Sequence, residues 1–179
     1  AGTPLPLLPV QLLWLNLVTN GIQDVALAFE PGEGDTLRRK PRSPKERIFN
    51  QLMIERTIVG ALVIGGVGFA AFYWMLHNGW TESAARNSLL LLMVLFENVH
   101  IGNCRSETKS AFVMSPFRSP ILITGTLLAF GIHLAAVYSP IGHKLLSTNL
   151  ISLTEWLALI PLALTVFVAV EIHKWSWKW

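Results

Sequence analysis

An all-α bundle of five transmembrane helices is the fold this sequence predicts. Three observations lead there. The 179 residues are 52% hydrophobic and only 14% charged, where soluble domains carry about 25% charge. Mean hydropathy is +0.48. The apolar residues gather into stretches at about 7–29, 57–76, 87–104, 121–137 and 153–172, each near the roughly 20 residues needed to cross hydrocarbon. The chain is thus read as one polytopic membrane domain over residues 1–179, with the lipid bilayer as its surroundings.

The formal net charge of +3 carries no nucleic-acid signal, because the basic residues lie in loops between apolar spans. The single cysteine, Cys104, excludes an internal disulfide and a thiolate-clustered metal site. Residues 5–17 lack the basic flank and the small-residue cleavage site of a signal peptide. The chain starts with Ala rather than Met, which fits a fragment of a longer protein.

The first span, 7–29, is the most polar. Asn16, Asn20 and Asp24 fall at i, i+4 and i+8, with Thr19 and Gln23 beside them. On a helix they form one oxygen-rich stripe. A centred Asp costs roughly 2.5–3.5 kcal/mol on insertion scales, so such groups usually line a pathway or pair with something. Oxygen ligands without sulfur suit hard cations. The bland reading is a polar seam that glues helices together.

The loop after this span begins acidic at Glu30, Glu33 and Asp35, then turns basic at Arg38, Arg39, Lys40, Arg42, Lys45 and Arg47. Pro31, Gly32, Gly34, Pro41 and Pro44 argue against a helix there. The second span, 57–76, holds Gly60, Gly65, Gly66 and Gly68, which let helix backbones approach closely. A bend at Gly65-Gly66 is expected. The third span, 87–104, carries Glu97 as its lone acid, followed by Asn98, His100 and Asn103. A membrane acid reads as functional before it reads as structural. His100 and His133, without a second histidine at metal spacing, read as hydrogen-bonded packing residues. The fourth span, 121–137, is apolar. The fifth, 153–172, opens on Ser152-Leu153-Thr154-Glu155, the pattern of a capping box. Glu55 and Glu171, at span ends beside Arg56 and His173, read as interfacial. Tryptophans 74, 80, 156, 175, 177 and 179 lie near span ends, where amphipathic rings favour the membrane interface.

Basic residues also set the orientation. They crowd the loops 30–50 and 105–120 and the tail, whereas the opposite side holds little more than Arg86 and Lys144. The positive-inside rule then puts the N-terminus outside and the C-terminus in the cytoplasm, in a plasma or inner membrane.

Pro9-Val10-Gln11-Leu12-Leu13-Trp14-Leu15-Asn16-Leu17-Val18-Thr19-Asn20-Gly21 resembles the sixth transmembrane helix of P-type cation-transporting ATPases, the calcium-pump branch in particular. Those pumps typically read Q-L-L-W-x-N-L-V-T-D-G here. Ala26-Leu27-Ala28-Phe29-Glu30-Pro31 continues the resemblance, and the rest of the chain is similar to helices seven to ten in order and spacing. It implies that residues 1–179 are the C-terminal membrane domain of an ATP-driven pump. Val94-Leu95-Phe96-Glu97 matches the context of the family's cation-site Glu on helix eight. The implied metal ligands are Asn16, Thr19, Asn20, Asp24 and Glu97, and the implied cargo is a cation: Ca²⁺, Na⁺, K⁺ or H⁺. Implied partners are helices one to five and the cytoplasmic actuator, phosphorylation and nucleotide domains.

Two departures stand out. The family's T-D-G is Thr19-Asn20-Gly21 here, and Asp24 occupies a position where calcium pumps usually carry a small residue. Two carboxylates suit one monovalent ion or a proton at least as well as Ca²⁺. The chain contains no D-K-T-G-T phosphorylation sequence, no Gly-rich phosphate loop and no P-E-G-L helix break. ATP and Mg²⁺ would therefore act only through domains this chain lacks, and catalytic residues are expected in none of it. A secondary transporter or channel subunit would also explain the polar stripe, but should show repeat symmetry between halves. A structural membrane assembly protein would explain the glycines and tryptophans, and leaves the stripe as an uncompensated cost.

Overall fold

The computed structural model describes residues 2–32 and 49–177, and all regular structure among them is helical. The basic run from Arg38 to Arg47, and Lys178 and Trp179, lie outside the described residues. Helix α1 (Pro9–Trp14) passes into a π-helical stretch (Leu15–Asn20) and then α2 (Gly21–Ala28). After the first loop come α3 (Gln51–His77), α4 (Glu82–Cys104), a 3₁₀ turn (Pro116–Arg118), α5 (Pro120–Val137), the short α6 (Pro140–Leu146) and α7 (Leu153–Ser176).

Local chemistry fixes where the helices start. The side chains of Asn50, Thr81, Ser119, Ser139 and Ser152 each accept a hydrogen bond from a backbone N–H of the first turn of α3, α4, α5, α6 and α7 respectively. These are the orphan donors that a helix start leaves open. Pro120 and Pro140 occupy first-turn positions that need no N–H. In α7 the capping box is complete, with Glu155 reaching back to the backbone of Ser152.

Helix α4 is the centre of the bundle. It packs most extensively on α7 and also against α3 and the π-helical stretch. Residues 89–92 and 94–96 of α4 are buried. Leu89, Leu91, Leu92, Leu95 and Phe96 share a core with Phe72 and Met75 of α3 and Leu159, Ala163, Val166 and Val170 of α7, while Leu90 and Val94 pack with Leu15 of the π-helical stretch. On the other flank, α2 lies along α5. Gly125 makes that approach possible: a Cβ there would collide with the Ala26 methyl.

Helices α3, α5 and α7 are each long and apolar enough to cross a membrane, with mean hydropathies of 1.9, 1.9 and 2.0. Their outward sides carry exposed Leu62, Phe69, Leu127, Leu157 and Val168, as a lipid-facing surface requires. The other two long segments differ for physical reasons. α4 is enclosed by its neighbours and carries Arg86, Asn87, Glu97 and Asn103. The first segment is divided by its π-helical stretch. α3 runs unbroken through Gly65-Gly66, which meet open space, whereas Gly60 lies against His100 and Gly68 against Met93.

Candidate functional site

The backbone is irregular at the polar motif itself. Within the π-helical stretch, hydrogen bonds reach one residue further than in an α-helix, so the Gly21 N–H donates to the Asn16 carbonyl. Such stretches are rare and recur at functional sites.

This segment divides the predicted stripe. Thr19 and Gln23 are buried against the bundle, Asn20 is half-buried, and Asn16 and Asp24 open outward. The Thr19 hydroxyl donates to the Leu15 carbonyl at 2.7 Å. The π-helical stretch packs against α4, the helix that carries Glu97. Glu97 Oε2 is buried and has no hydrogen-bond partner among the described residues.

The chemistry follows from counting protons. A threonine hydroxyl has one. With it committed to Leu15, the Thr19 oxygen has only lone pairs left to offer. A buried carboxylate oxygen without a donor, as Glu97 Oε2 is here, is satisfied by a proton or a cation. A hard cation with oxygen ligands fits this donor set. Among the described residues no three His, Cys, Asp or Glu side chains cluster as a metal centre.

Asn16 donates to the Leu12 carbonyl at 3.0 Å and is exposed. Two residues outside the predicted ligand set help build the site. Gln23 Nε2 donates to Asn98 Oδ1 at 3.1 Å, and Asn98 Nδ2 donates to the Val94 carbonyl at 2.7 Å. This amide relay ties α2 to α4 one residue beyond Glu97. Its signal in the sequence was the spacing of Gln23, one turn after Thr19. His133 is buried and accepts from Trp14 Nε1 at 3.2 Å, which joins α5 to α1 as a packing histidine does.

A polar cluster, part of it buried, closes the bundle where α2, α4 and α7 end. Glu30 pairs with Arg105 at 2.8 Å, and Arg118 donates to the carbonyls of Pro31 and Gly32, both at 2.7 Å. Lys174 donates to the Asn103 and Lys109 carbonyls and to Glu171. Glu55 accepts from Trp177 Nε1 at 2.7 Å and contacts His173 at 3.3 Å.

Comparison with known proteins bears on all of this. Residues 4–176 match the family described as "Cation transporting ATPase, C-terminus". The chain is 34% identical over 161 residues to a calcium-transporting ATPase of Bacillus subtilis, covering 89% of this chain and 18% of that protein. It is 30% identical over 172 residues to a probable cation-transporting ATPase F of Mycobacterium bovis, covering 95% and 19%. It is 32% identical over 172 residues to the mouse calcium-transporting ATPase type 2C member 2, covering 96% and 18%. The chain thus spans about a fifth of the length of these relatives. With nearly every residue matched and three apolar helices long enough to cross a bilayer, it is an integral membrane protein that belongs to the C-terminal domain family of P-type cation-transporting ATPases, calcium-pump-like in its relatives.

Proposed function

We propose that this chain is the cation-binding and translocation part of an ATP-driven pump. What supports this reading is the π-helical stretch at the polar motif together with the buried, unpartnered Oε2 of Glu97 on the adjoining α4. The five spans are α1 through α2, α3, α4, α5 and α7, with the N-terminus outside and the C-terminus in the cytoplasm of a plasma or inner membrane.

In this reading Asp24 and Glu97 supply charge, and Asn16, Thr19 and Asn20 supply neutral oxygens. The outward sides of Asn16 and Asp24 are covered by pump helices that precede this chain. A proton, Na⁺, K⁺ or Ca²⁺ is the class of cargo; two carboxylates neutralise one divalent or up to two monovalent ions. ATP hydrolysis belongs to the actuator, phosphorylation and nucleotide domains. Their movement alternates the site between the two sides of the membrane.

The test uses the full-length pump. Asp24→Asn and Glu97→Gln keep size and remove charge, so each lowers cation affinity while ATP binding persists. Loss of a charge-assisted contact costs on the order of 1.5–3 kcal/mol, about tenfold to a hundredfold in affinity. Unchanged cation dependence of phosphorylation in the double variant would overturn this assignment.

A further inference from the structure

At the opposite end of the bundle from the buried ion pairs, a polar pocket of about 330 Å³ is lined by Ser83, His143, Lys144, Ser147, Thr148 and Asn149. Its frame is fixed. Gly142 sits so close to the Ala136 carbonyl that no side chain fits, which holds α6 against the end of α5. The Leu146 carbonyl accepts from Gln11 Nε2 at 2.9 Å. Ser147 adopts a left-handed backbone with φ 52°, and the Thr148 N–H returns to the His143 carbonyl at 3.2 Å. The Asn149 carbonyl accepts from Asn87 Nδ2 at 2.8 Å. Residues 148 and 149 are therefore anchored to α6 and α4, and the end of α6 is itself held by α1.

Among the lining residues two buried polar atoms are unsatisfied. Thr148 is 3% exposed, and its Oγ1 has no hydrogen-bond partner among the described residues. His143 Nε2 is likewise buried and unpartnered. Leaving such groups unpaired is costly, so each marks a place for a ligand atom or an ordered water. The charge is one-sided. Lys144 brings an ammonium, and no acidic side chain lines the pocket. Glu82 is engaged by Arg86 at 2.9 Å, and Glu155 by Ser88 and Ser152.

We propose that this pocket binds a phosphate group bearing net negative charge. Three hydroxyls, an amide, an imidazole and an ammonium reach it from three segments, and a tetrahedral oxyanion offers acceptors in as many directions. Lysine serves such groups as a point charge. Exposed Ile141, Leu145 and Leu150 flank the pocket and supply an apolar surface for acyl chains, so an anionic phospholipid headgroup and free inorganic phosphate share the required chemistry. A choline or ethanolamine headgroup finds no carboxylate here to receive its ammonium.

The full-length protein, purified in detergent, tests this in two arms. In the first, native mass spectrometry compares retention of phosphatidylglycerol with phosphatidylcholine added at equal concentration. In the second, inorganic phosphate is titrated and ³¹P line broadening recorded. Lys144→Gln, at an exposed position that does not threaten folding, should weaken binding roughly fivefold. Thr148→Val should weaken it as well, and Lys144→Arg should preserve it. Lys144-dependent retention of phosphatidylglycerol identifies a lipid as the source. Lys144-dependent broadening by inorganic phosphate alone identifies the free ion. Absence of both, or binding that is indifferent to Lys144→Gln, overturns the proposal.

Discussion

Lys174, in the last turn of α7, donates a hydrogen bond of 2.9 Å to the carbonyl of Asn103, in the last turn of α4. One helix thus supplies the cap of another. The last four carbonyls of a helix have no internal partner, and Lys174 reaches one of them while 1% exposed. The same ammonium holds Glu171, which also accepts from the Ala111 N–H and from Asn103 Nδ2 at 2.8 Å.

Lys174→Met keeps the aliphatic stem and removes the charge. It leaves Glu171 without this cation and takes one donor from each of the Asn103 and Lys109 carbonyls, the former keeping Arg56 Nη2 at 3.3 Å. Breaking one side of a buried pair costs about 3–5 kcal/mol. Denaturant titration in detergent should show a loss of that order, partly restored by adding Glu171→Gln. A single variant with the wild-type midpoint would contradict this account.

The two arginines that meet Glu30 should not be equivalent. Arg105 and Glu30 are both 8% exposed in their side chains and lie 2.8 Å apart, whereas Arg118 is 27% exposed and 3.9 Å away. Arg105→Ala should cost about 3 kcal/mol. Arg118→Ala should cost about 1 kcal/mol, mostly through its lost bonds to Pro31 and Gly32. Equal shifts in unfolding midpoint would contradict the ranking.

Two glycines separate hard contacts from soft ones. A methyl at Gly125 meets the Cβ of Ala26, which moves only with its backbone; a methyl at Gly68 meets the flexible end of Met93. Gly125→Ala should therefore cost about 1–3 kcal/mol as an overpacked contact. Gly68→Ala should cost less, because Met93 can change rotamer. Paired thermal unfolding scans decide this, and a larger effect at Gly68 would count against it.

Cys104, half-buried at the end of α4 beside Arg105, should report orientation. A membrane-impermeant thiol reagent should reach it from the cytoplasmic side alone. Labelling in intact, right-side-out cells would invert the topology proposed above.

Much of the helical organisation was legible because hydrophobic stretches of about 20 residues have few alternatives. The capping box at Ser152 and Glu155 was equally readable, since it depends on residues three apart. Long-range pairings were not. Lys174 read as one more basic residue of the tail, and only the packing of α7 on α4 makes it a cap for Asn103. Glu171 and Glu55 read as interfacial acids, though each is held by named partners. Helix α6 is too short for periodicity to announce it. At the candidate site, the residue types of the first segment were visible in sequence. Which of them face inward was not, because i, i+4 reasoning assumes an unbroken α-helix, and a π-helical stretch changes the facing of everything after it.

That stretch has a mechanical meaning. A π-turn holds one residue more than the α-turn it replaces. If residues 15–20 tightened to α-helical bonding, the surplus residue would pass along the chain. Each residue of shift is a rotation of about 100° and a rise of about 1.5 Å. Gln23 and Asp24 would then turn like the thread of a screw relative to Glu97, while Trp14 kept its hold on His133. Any such turn would have to give up the Gln23–Asn98 bond and the close approach of Ala26 to Gly125, the two contacts that hold α2 in its present register.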